Sequence, residues 1–212
     1  LDALQSQINP HFLYNTLDSI MWMIESERYQ DAVFMVHALG KLFRISLSRG
    51  RNIITVGEEL QHAGSYLDIQ KYRYKNKFTS FFEVEEGIEK YRTIKLIIQP
   101  LIENAIYYGM EYMDGEGEIY IRAYTKDQEL LEVADNGPGM PEEQVAGLLT
   151  EESETRSRGS GIGLKNVHQR IQLYFGTEYG LEIESEPDEG TTVRIHLPKT
   201  EEASSVEKGD RQ

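Results

Sequence analysis

Apolar residues recur at helical spacing through the first fifty positions of this chain. Leu13, Leu17, Ile20 and Ile24 make one stripe, and Val36, Leu39, Phe43 and Leu47 make a second. The polar run Glu25-Ser26-Glu27-Arg28 between them reads as the turn of a helical hairpin. Two helices with one apolar stripe each cannot bury those stripes well alone, so the pattern predicts a dimeric four-helix bundle. Ser48-Arg49-Gly50-Arg51-Asn52 then breaks the periodicity, with Gly50 placed as a helix stop. A domain boundary falls there, after residue 50.

Beyond the boundary the pattern alternates. A short apolar strand around Ile53, Ile54 and Val56 precedes a long helix from about Glu58 to Lys75. Phe78–Val84 reads as a strand and Lys95–Tyr108 as a helix with Ile98, Leu101, Ile102 and Ala105 inward. Two strands, Glu118–Tyr124 and Glu129–Ala134, are joined by a hairpin around Asp127. A helix over Gly163–Phe175 and two closing strands, Leu181–Ser185 and Thr192–Leu197, complete the series. Helices interleaved with largely hairpin-connected strands predict an α/β sandwich, one mixed sheet with helices on one face, over residues 51–198. The fold class is therefore α+β, with an N-terminal helical hairpin before the sandwich. Residues 199–212 carry almost no apolar side chains and are expected to form a disordered tail.

Composition narrows the functions open to such a fold. The hydrophobic fraction of 39% is enough for a sizeable core. Thirty-six acidic against 22 basic side chains give a formal net charge of -14, which repels nucleic-acid phosphates and anionic lipid headgroups. Nucleic acid is thus an unexpected partner. The chain has no cysteine, which removes disulfides, thiolate chemistry and Cys-type zinc sites together. No run of 18 apolar residues is present to span a membrane. The chain opens on Leu1 inside a helical pattern, so a fragment is expected, with any membrane contact made through upstream segments.

Three segments carry candidate chemistry: Gln99-Pro-Leu-Ile-Glu-Asn104-Ala on a helix, Asp135-Asn-Gly137-Pro-Gly139-Met at a strand end, and Gly159-Ser-Gly161-Ile-Gly163-Leu opening a helix. A carboxylate only accepts hydrogen bonds, so Asp135 suits the exocyclic amine of adenine and would oppose the carbonyl of guanine. Gly137 and Gly139 let the backbone turn sharply beside a base. Alternating glycines at a helix start expose amides to a phosphate chain, helped by the helix dipole. Asn104 offers the neutral oxygen that Mg²⁺, which keeps most of its waters, can use. Singly, each segment could be a turn, a polar core residue or a loop. Together, in this order and in the right local structure, they are expected to form one nucleotide site. There is no Walker A motif or protein-kinase signature, and charged, Ser-rich sequence rather than a strand precedes the third glycine run.

The triplet resembles the N, G1 and G2 boxes of the ATP-binding fold shared by histidine kinases, DNA gyrase, Hsp90 and MutL. Gln7-Ile-Asn9-Pro10-His11-Phe-Leu-Tyr-Asn15-Thr-Leu is similar to the phosphoacceptor segment of sensor histidine kinases of the LytS/YesM type, and the resemblance continues through Glu58-Glu-Leu and Tyr66-Leu-Asp-Ile-Gln-Lys-Tyr-Arg73. It implies ATP and Mg²⁺ as cofactors and autophosphorylation of His11. It further implies a homodimer, phosphotransfer to an aspartate of a response regulator, and a cytoplasmic domain of a membrane-anchored bacterial sensor. The nucleotide contacts it implies are Asn104, Tyr108, Asp135, Gly137, Gly139, Gly159, Ser160, Gly161, Ile162, Gly163, Leu164 and Thr191, with Asn104 on the metal. Pro141 to Arg158 is the implied lid. Asn9 as N-cap and Pro10 at the first helical position would put His11 at a helix start, where the dipole suits a phosphoryl anion; a kinked continuous helix is the competing geometry.

The sequence departs from the wider pattern at three places. ATPase members carry a glutamate one turn before the Asn, and here that position is Pro100, which disfavours hydrolysis as the main activity. Many histidine kinases have an acidic residue after the phosphoacceptor; here it is Phe12, leaving Glu103 as a candidate base. Many also have Lys or Arg three residues after Asn104, facing phosphate; here it is Tyr107, with Lys165, Arg156 or Arg158 as substitutes. A degenerate nucleotide-binding scaffold or phosphatase is the alternative that Phe12 and Tyr107 raise.

Overall fold

The computed structural model describes residues 10–48, 51–75, 77–110, 113–126, 128–149 and 160–201. The hairpin is present as α1 (Pro10–Glu25) and α2 (Tyr29–Ser46), turned by Glu27 in the left-handed region. Arg28 and Asp31 close the turn at 2.7 Å. The helices are apolar on two faces. Phe12, Ile20 and Met23 of α1 and Met35, Leu39 and Leu42 of α2 are buried, whereas Leu17, Met21, Trp22, Ile24, Val33, Val36 and Leu47 are exposed. The two stripes read from the sequence are therefore split, with Ile20 and Leu39 inside and Leu17, Ile24, Val36 and Leu47 in solvent. A third helix explains this. The inner face packs on α3 (Val56–Arg73) as well as on the neighbouring helix, and a 3.6-residue period alone does not say which of two apolar faces goes inward.

Helix α3 starts where a capping box dictates. The Thr55 hydroxyl accepts from the Glu58 amide at 3.1 Å, and the Glu58 carboxylate accepts from the Thr55 amide at 2.9 Å. Its flanks receive the hairpin: Phe12 stacks on Tyr66 with ring centroids 5.2 Å apart, and the Tyr72 hydroxyl donates to Asp31 at 3.0 Å. His62 is fully buried against Ser46 at 2.9 Å, and that burial lowers its pKa to about 4, so it is a neutral packing residue.

The sandwich is built on a five-stranded sheet in the order β2-β4-β5-β7-β6, with β2 (Phe78–Val84) parallel to β4 (Gly117–Lys126). The remaining strands, β5 (Gln128–Asp135), β6 (Gly180–Glu186) and β7 (Gly190–Leu197), pair antiparallel. A separate two-stranded ribbon joins β1 (Ile53–Thr55) to β3 (Arg92–Ile94). One face of the sheet is apolar. Ile119, Ile121, Leu131, Val133, Val193 and Ile195 are buried under α4 (Ile98–Asn104) and α6 (Ser160–Phe175). The other face is polar, with Glu132 held between Arg122 at 2.6 Å and Arg194 at 2.8 Å. A short α5 (Glu142–Gly147) follows the turn after β5.

Two boundaries differ from the sequence reading for local reasons. The helix expected over Lys95–Tyr108 begins only at Ile98, because Leu96 stands at φ +60° and no α-helix passes through a left-handed residue. It ends as an α-helix at Asn104 and continues as a π-helix over Ala105–Met110. At the far end, the Arg92 amide donates to Thr200 O at 2.8 Å, Lys199 lies over the Tyr91 ring, and Lys90 meets Glu201 at 2.7 Å. The chain thus stays on the domain surface through Glu201, and the rest of the expected tail lies outside the described residues.

Candidate functional site

Strand alternation places the carboxylate. Leu131, Val133 and Asp135 point to the same side of β5, so an apolar row ends in one acidic residue at the edge of the core. Asp135 is flanked in register by Ile119 of β4 and Thr191 of β7. Burial raises its pKa to about 6, while hydrogen bonds from the amides of Gly137 and Thr191 hold it down; the Gly137 bond is 2.9 Å. Two amides leave lone pairs on the carboxylate that can still accept a donor from solvent or from a base edge.

The walls around Asp135 are backbone. A Cβ on Gly137 would lie 2.4 Å from the Gly109 Cα, and one on Gly109 would lie 2.9 Å from Asp135 Oδ1. Gly139 stands at φ +60°, and a Cβ there would meet Glu186 O at 1.9 Å. The turn after β5 is held from below by Asn136, which accepts from the Glu118 amide at 2.7 Å and donates to Glu116 O at 3.0 Å. Ser185 completes the frame: it accepts from the Met140 amide at 3.0 Å, donates to Gly190 O at 2.9 Å and lies 2.8 Å from the Thr191 hydroxyl. Gly109 and Ser185 were not singled out from the sequence. Gly109 sits five residues past Asn104 in a helical stretch, where a glycine costs about 1 kcal/mol against alanine, and that cost was the available signal.

Asn104, the last residue of α4, is buried. A neutral amide oxygen there fits one ligand position of Mg²⁺. Among the described residues no group of three or more His, Cys, Asp or Glu side chains could hold a metal by itself, so such an ion would take its other oxygens from water and phosphate. Glu103, beside it, is exposed; its carboxylate accepts from Gln99 at 2.8 Å and is hydrogen-bonded by the Tyr66 hydroxyl.

The π-helix alters the side-chain directions after Asn104. Its i→i+5 bonding widens each turn beyond the 3.6 residues of an α-helix. Tyr108 stays close to the direction of Asn104, whereas Tyr107 is rotated further from it than an α-helix would place it. Tyr107 is 53% exposed and meets Tyr108 edge-on with centroids 4.8 Å apart. Tyr107→Lys is accordingly expected to leave ATP affinity and its salt dependence unchanged in a fluorescent-nucleotide titration. A salt-sensitive gain would show that position 107 does face the phosphates.

Helix α6 carries Gly163 and the fully buried Leu164 near its start, with Gly163 facing Pro100 of α4. Ser160, Gly161 and Ile162 form the first turn of α6. Gly159 and residues 150–158 of the expected lid, Pro141 to Arg158, lie outside the described residues. His11 is exposed near the start of α1, with the Asn15 amide 3.2 Å from Nδ1 and 3.3 Å from Nε2. An amide N–H can bond only a ring nitrogen that carries a lone pair, which is the nitrogen a nucleophilic imidazole uses. Asn9, the expected cap, lies outside the described residues.

A mixed sheet with helices on one face, whose inward row ends in a glycine-walled acceptor, defines an ATP-binding domain of the kind that kinases of histidine share with gyrase-type ATPases. Residues 89–201 match the family described as histidine kinase-, DNA gyrase B- and HSP90-like ATPase, and residues 1–78 match the histidine kinase family. The chain belongs to this family and corresponds to the catalytic region of a sensor histidine kinase. It is 39% identical over 199 residues to sensor histidine kinase YesM of Bacillus subtilis (strain 168), covering 93% of this chain and 33% of that protein. To sensor histidine kinase BtsS of Escherichia coli (strain K12) it is 31% identical over 204 residues, covering 96% of this chain and 34% of that protein. The chain thus spans about a third of the length of these relatives. Among solved structures, the catalytic domain of histidine kinase ThkA aligns over 70% of this chain and 95% of its own, at TM-score 0.55 and 20% identity. The histidine kinase domain of a blue-light activated histidine kinase from Erythrobacter litoralis aligns over 97% and 96%, at TM-score 0.53 and 17% identity.

Proposed function

We propose that this chain binds Mg·ATP at the Asp135 site, phosphorylates His11, and passes the phosphoryl group to an aspartate of a response regulator. The observation that carries the reading is the Asp135 carboxylate, partly buried, walled by Gly109 and Gly137 and still able to accept. Asp135 takes the adenine amine, with Thr191 beside it and Tyr108 on the Asn104 side. Asn104 and the first turn of α6 flank the phosphates. Asn104 would hold a Mg²⁺ ion, which would supply charge neutralisation for the transferring group. A lone-pair nitrogen of His11 attacks the γ-phosphorus, the bond to the β–γ bridging oxygen breaks, ADP leaves, and the exposed ring gives up its N–H proton to solvent. Glu103 already accepts two hydrogen bonds, which favours a positioning use of that carboxylate over a proton-abstracting one.

Incubation with γ-labelled ATP tests the reading. Label on the protein supports it, label nowhere favours a degenerate scaffold, and free phosphate favours an ATPase. Pro100, one turn before Asn104, offers no carboxylate to activate water.

The chain also reads as one half of a homodimer. Leu17, Trp22, Val33 and Val36 are exposed apolar residues of the hairpin. Contiguous exposed apolar patches mark interaction sites. A Trp22→Glu, Val36→Glu double variant is expected to sediment at half the mass of the parent and to keep its ATP affinity. A variant of unchanged mass would refute this dimer face. Among the described residues no helix is long and apolar enough to cross a membrane, and membrane anchoring is proposed only through sequence upstream, by likeness to sensor kinases.

A further inference from the structure

The peptide run from Lys95 to Ile98 is gripped from three sides. The Glu59 carboxylate of α3, fully buried, accepts from the amides of Leu96 at 2.9 Å, Ile97 at 2.7 Å and Ile98 at 2.9 Å. The Arg170 guanidinium of α6 donates to the carbonyls of the same run, Lys95 O at 2.7 Å and Leu96 O at 3.3 Å. Lys95 in turn donates to Ser48 O, at the end of the hairpin, at 3.2 Å.

Helix α4 has seven residues before it passes into the π-helix, and its N-terminus has no side-chain cap of its own. A helical stretch that short is only marginally stable alone, so its axis depends on whatever holds its first turn. Glu59 supplies the missing cap from another helix, meeting the orphan amides and the positive end of the dipole. The same three bonds fix Leu96 at φ +60°, a conformation a leucine adopts only when its surroundings impose it. At the opposite end of α4 stands Asn104, roughly 9 Å along the axis at 1.5 Å per residue. A small tilt about the clamped end therefore moves the Asn104 amide most. Burial raises the Glu59 pKa, and the three amides and Arg170 oppose that rise.

We propose that Glu59 and Arg170 are positioning residues: they clamp the 95–98 turn so that Asn104 on α4 and the glycine-rich start of α6 stand at the spacing Mg·ATP requires. The inference rests on the nucleotide reading above, and it assigns a role to two side chains that touch neither nucleotide nor metal. Glu59→Gln keeps the size but turns one acceptor into a donor facing an amide. Arg170→Lys keeps the charge but replaces a fork that reaches two carbonyls with a single point.

The test is the ratio of ATP affinity with Mg²⁺ to that with EDTA, measured by titration on the whole chain, with melting temperature recorded in parallel. In the parent, Mg²⁺ should tighten binding. In Glu59→Gln, affinity in EDTA should stay near the parent's while the Mg²⁺ enhancement falls about tenfold, the scale of one lost hydrogen bond to a charged group. Arg170→Lys should lose the same enhancement to a lesser degree, and it decides the matter alone if Glu59→Gln fails to fold. Parent-like ratios in the folded variants, whatever their melting temperatures, overturn the clamp and leave the nucleotide site standing. A parent whose affinity is indifferent to Mg²⁺ overturns both the metal role of Asn104 and the clamp built on it.

Discussion

His11→Gln is expected to bind ATP as the parent does and to incorporate no label from γ-labelled nucleotide. The two halves of that outcome follow from where the residue sits. His11 is exposed on α1, and the proposed adenine acceptor, the glycine walls and Asn104 stand on β5, the π-helix, the turn after β5 and α4. Glutamine is a good helix former of similar reach, and an exposed substitution away from caps and strained positions shifts stability by no more than about 0.5 kcal/mol. Binding should therefore be untouched, whereas a carboxamide has no ring nitrogen to attack phosphorus. In the parent, the expected product is a phosphoramidate, whose N–P bond is cleaved in acid and survives alkali. Label that survives acid, or that persists in His11→Gln, would move the phosphosite to a hydroxyl side chain or to another histidine such as the exposed His37 on α2.

The parts of this protein that sequence reasoning reached are those where a single residue type meets a single chemical need. The Asp135, Gly137 and Gly139 turn was readable because only glycine tolerates the Cβ positions that the backbone of Gly109 and Glu186 forbids. The sheet was readable because inward and outward residues alternate cleanly along β4 and β7. The hairpin helices were found, but their buried faces were not, since Leu17 and Val36 are as apolar as Ile20 and Leu39 and only the presence of α3 decides between them. The start of α4 was missed because its cap is long-range: Glu59 is 39 residues away from Ile98, and no local pattern announces it. The π-helix after Asn104 was missed for a related reason. Its widened turn brings Gly109 under Asp135, a contact made between elements rather than within one.

Asp135→Asn should weaken ATP binding by about 30- to 1,000-fold, that is roughly 2–4 kcal/mol, without unfolding the domain. The carboxylate has to accept from the Gly137 amide, the Thr191 amide and the adenine amine together, and two oxygens with paired lone pairs can do that. A carboxamide has one such oxygen. Its NH₂ group would face a donor in every rotamer, so one buried group goes unsatisfied, at about 1–3 kcal/mol, and a charge-assisted bond to the nucleotide is lost as well. The fold is spared because the neutral side chain no longer suffers the burial that pushes the acid to about 6. That raised pKa gives a second, signed signature. The folded protein binds this proton more tightly than the unfolded chain does, so the group's contribution to the stability of the nucleotide-free protein is greatest below its ordinary value of 3.8 and declines as pH rises to about 6. Nucleotide affinity should run the opposite way, increasing through the same window as the carboxylate ionises. Titration calorimetry and thermal melts from pH 4 to pH 8 should show both trends in the parent and neither at this site in Asp135→Asn. An unchanged affinity at pH 7.5, or a pH profile that survives the substitution, would remove Asp135 from the adenine site.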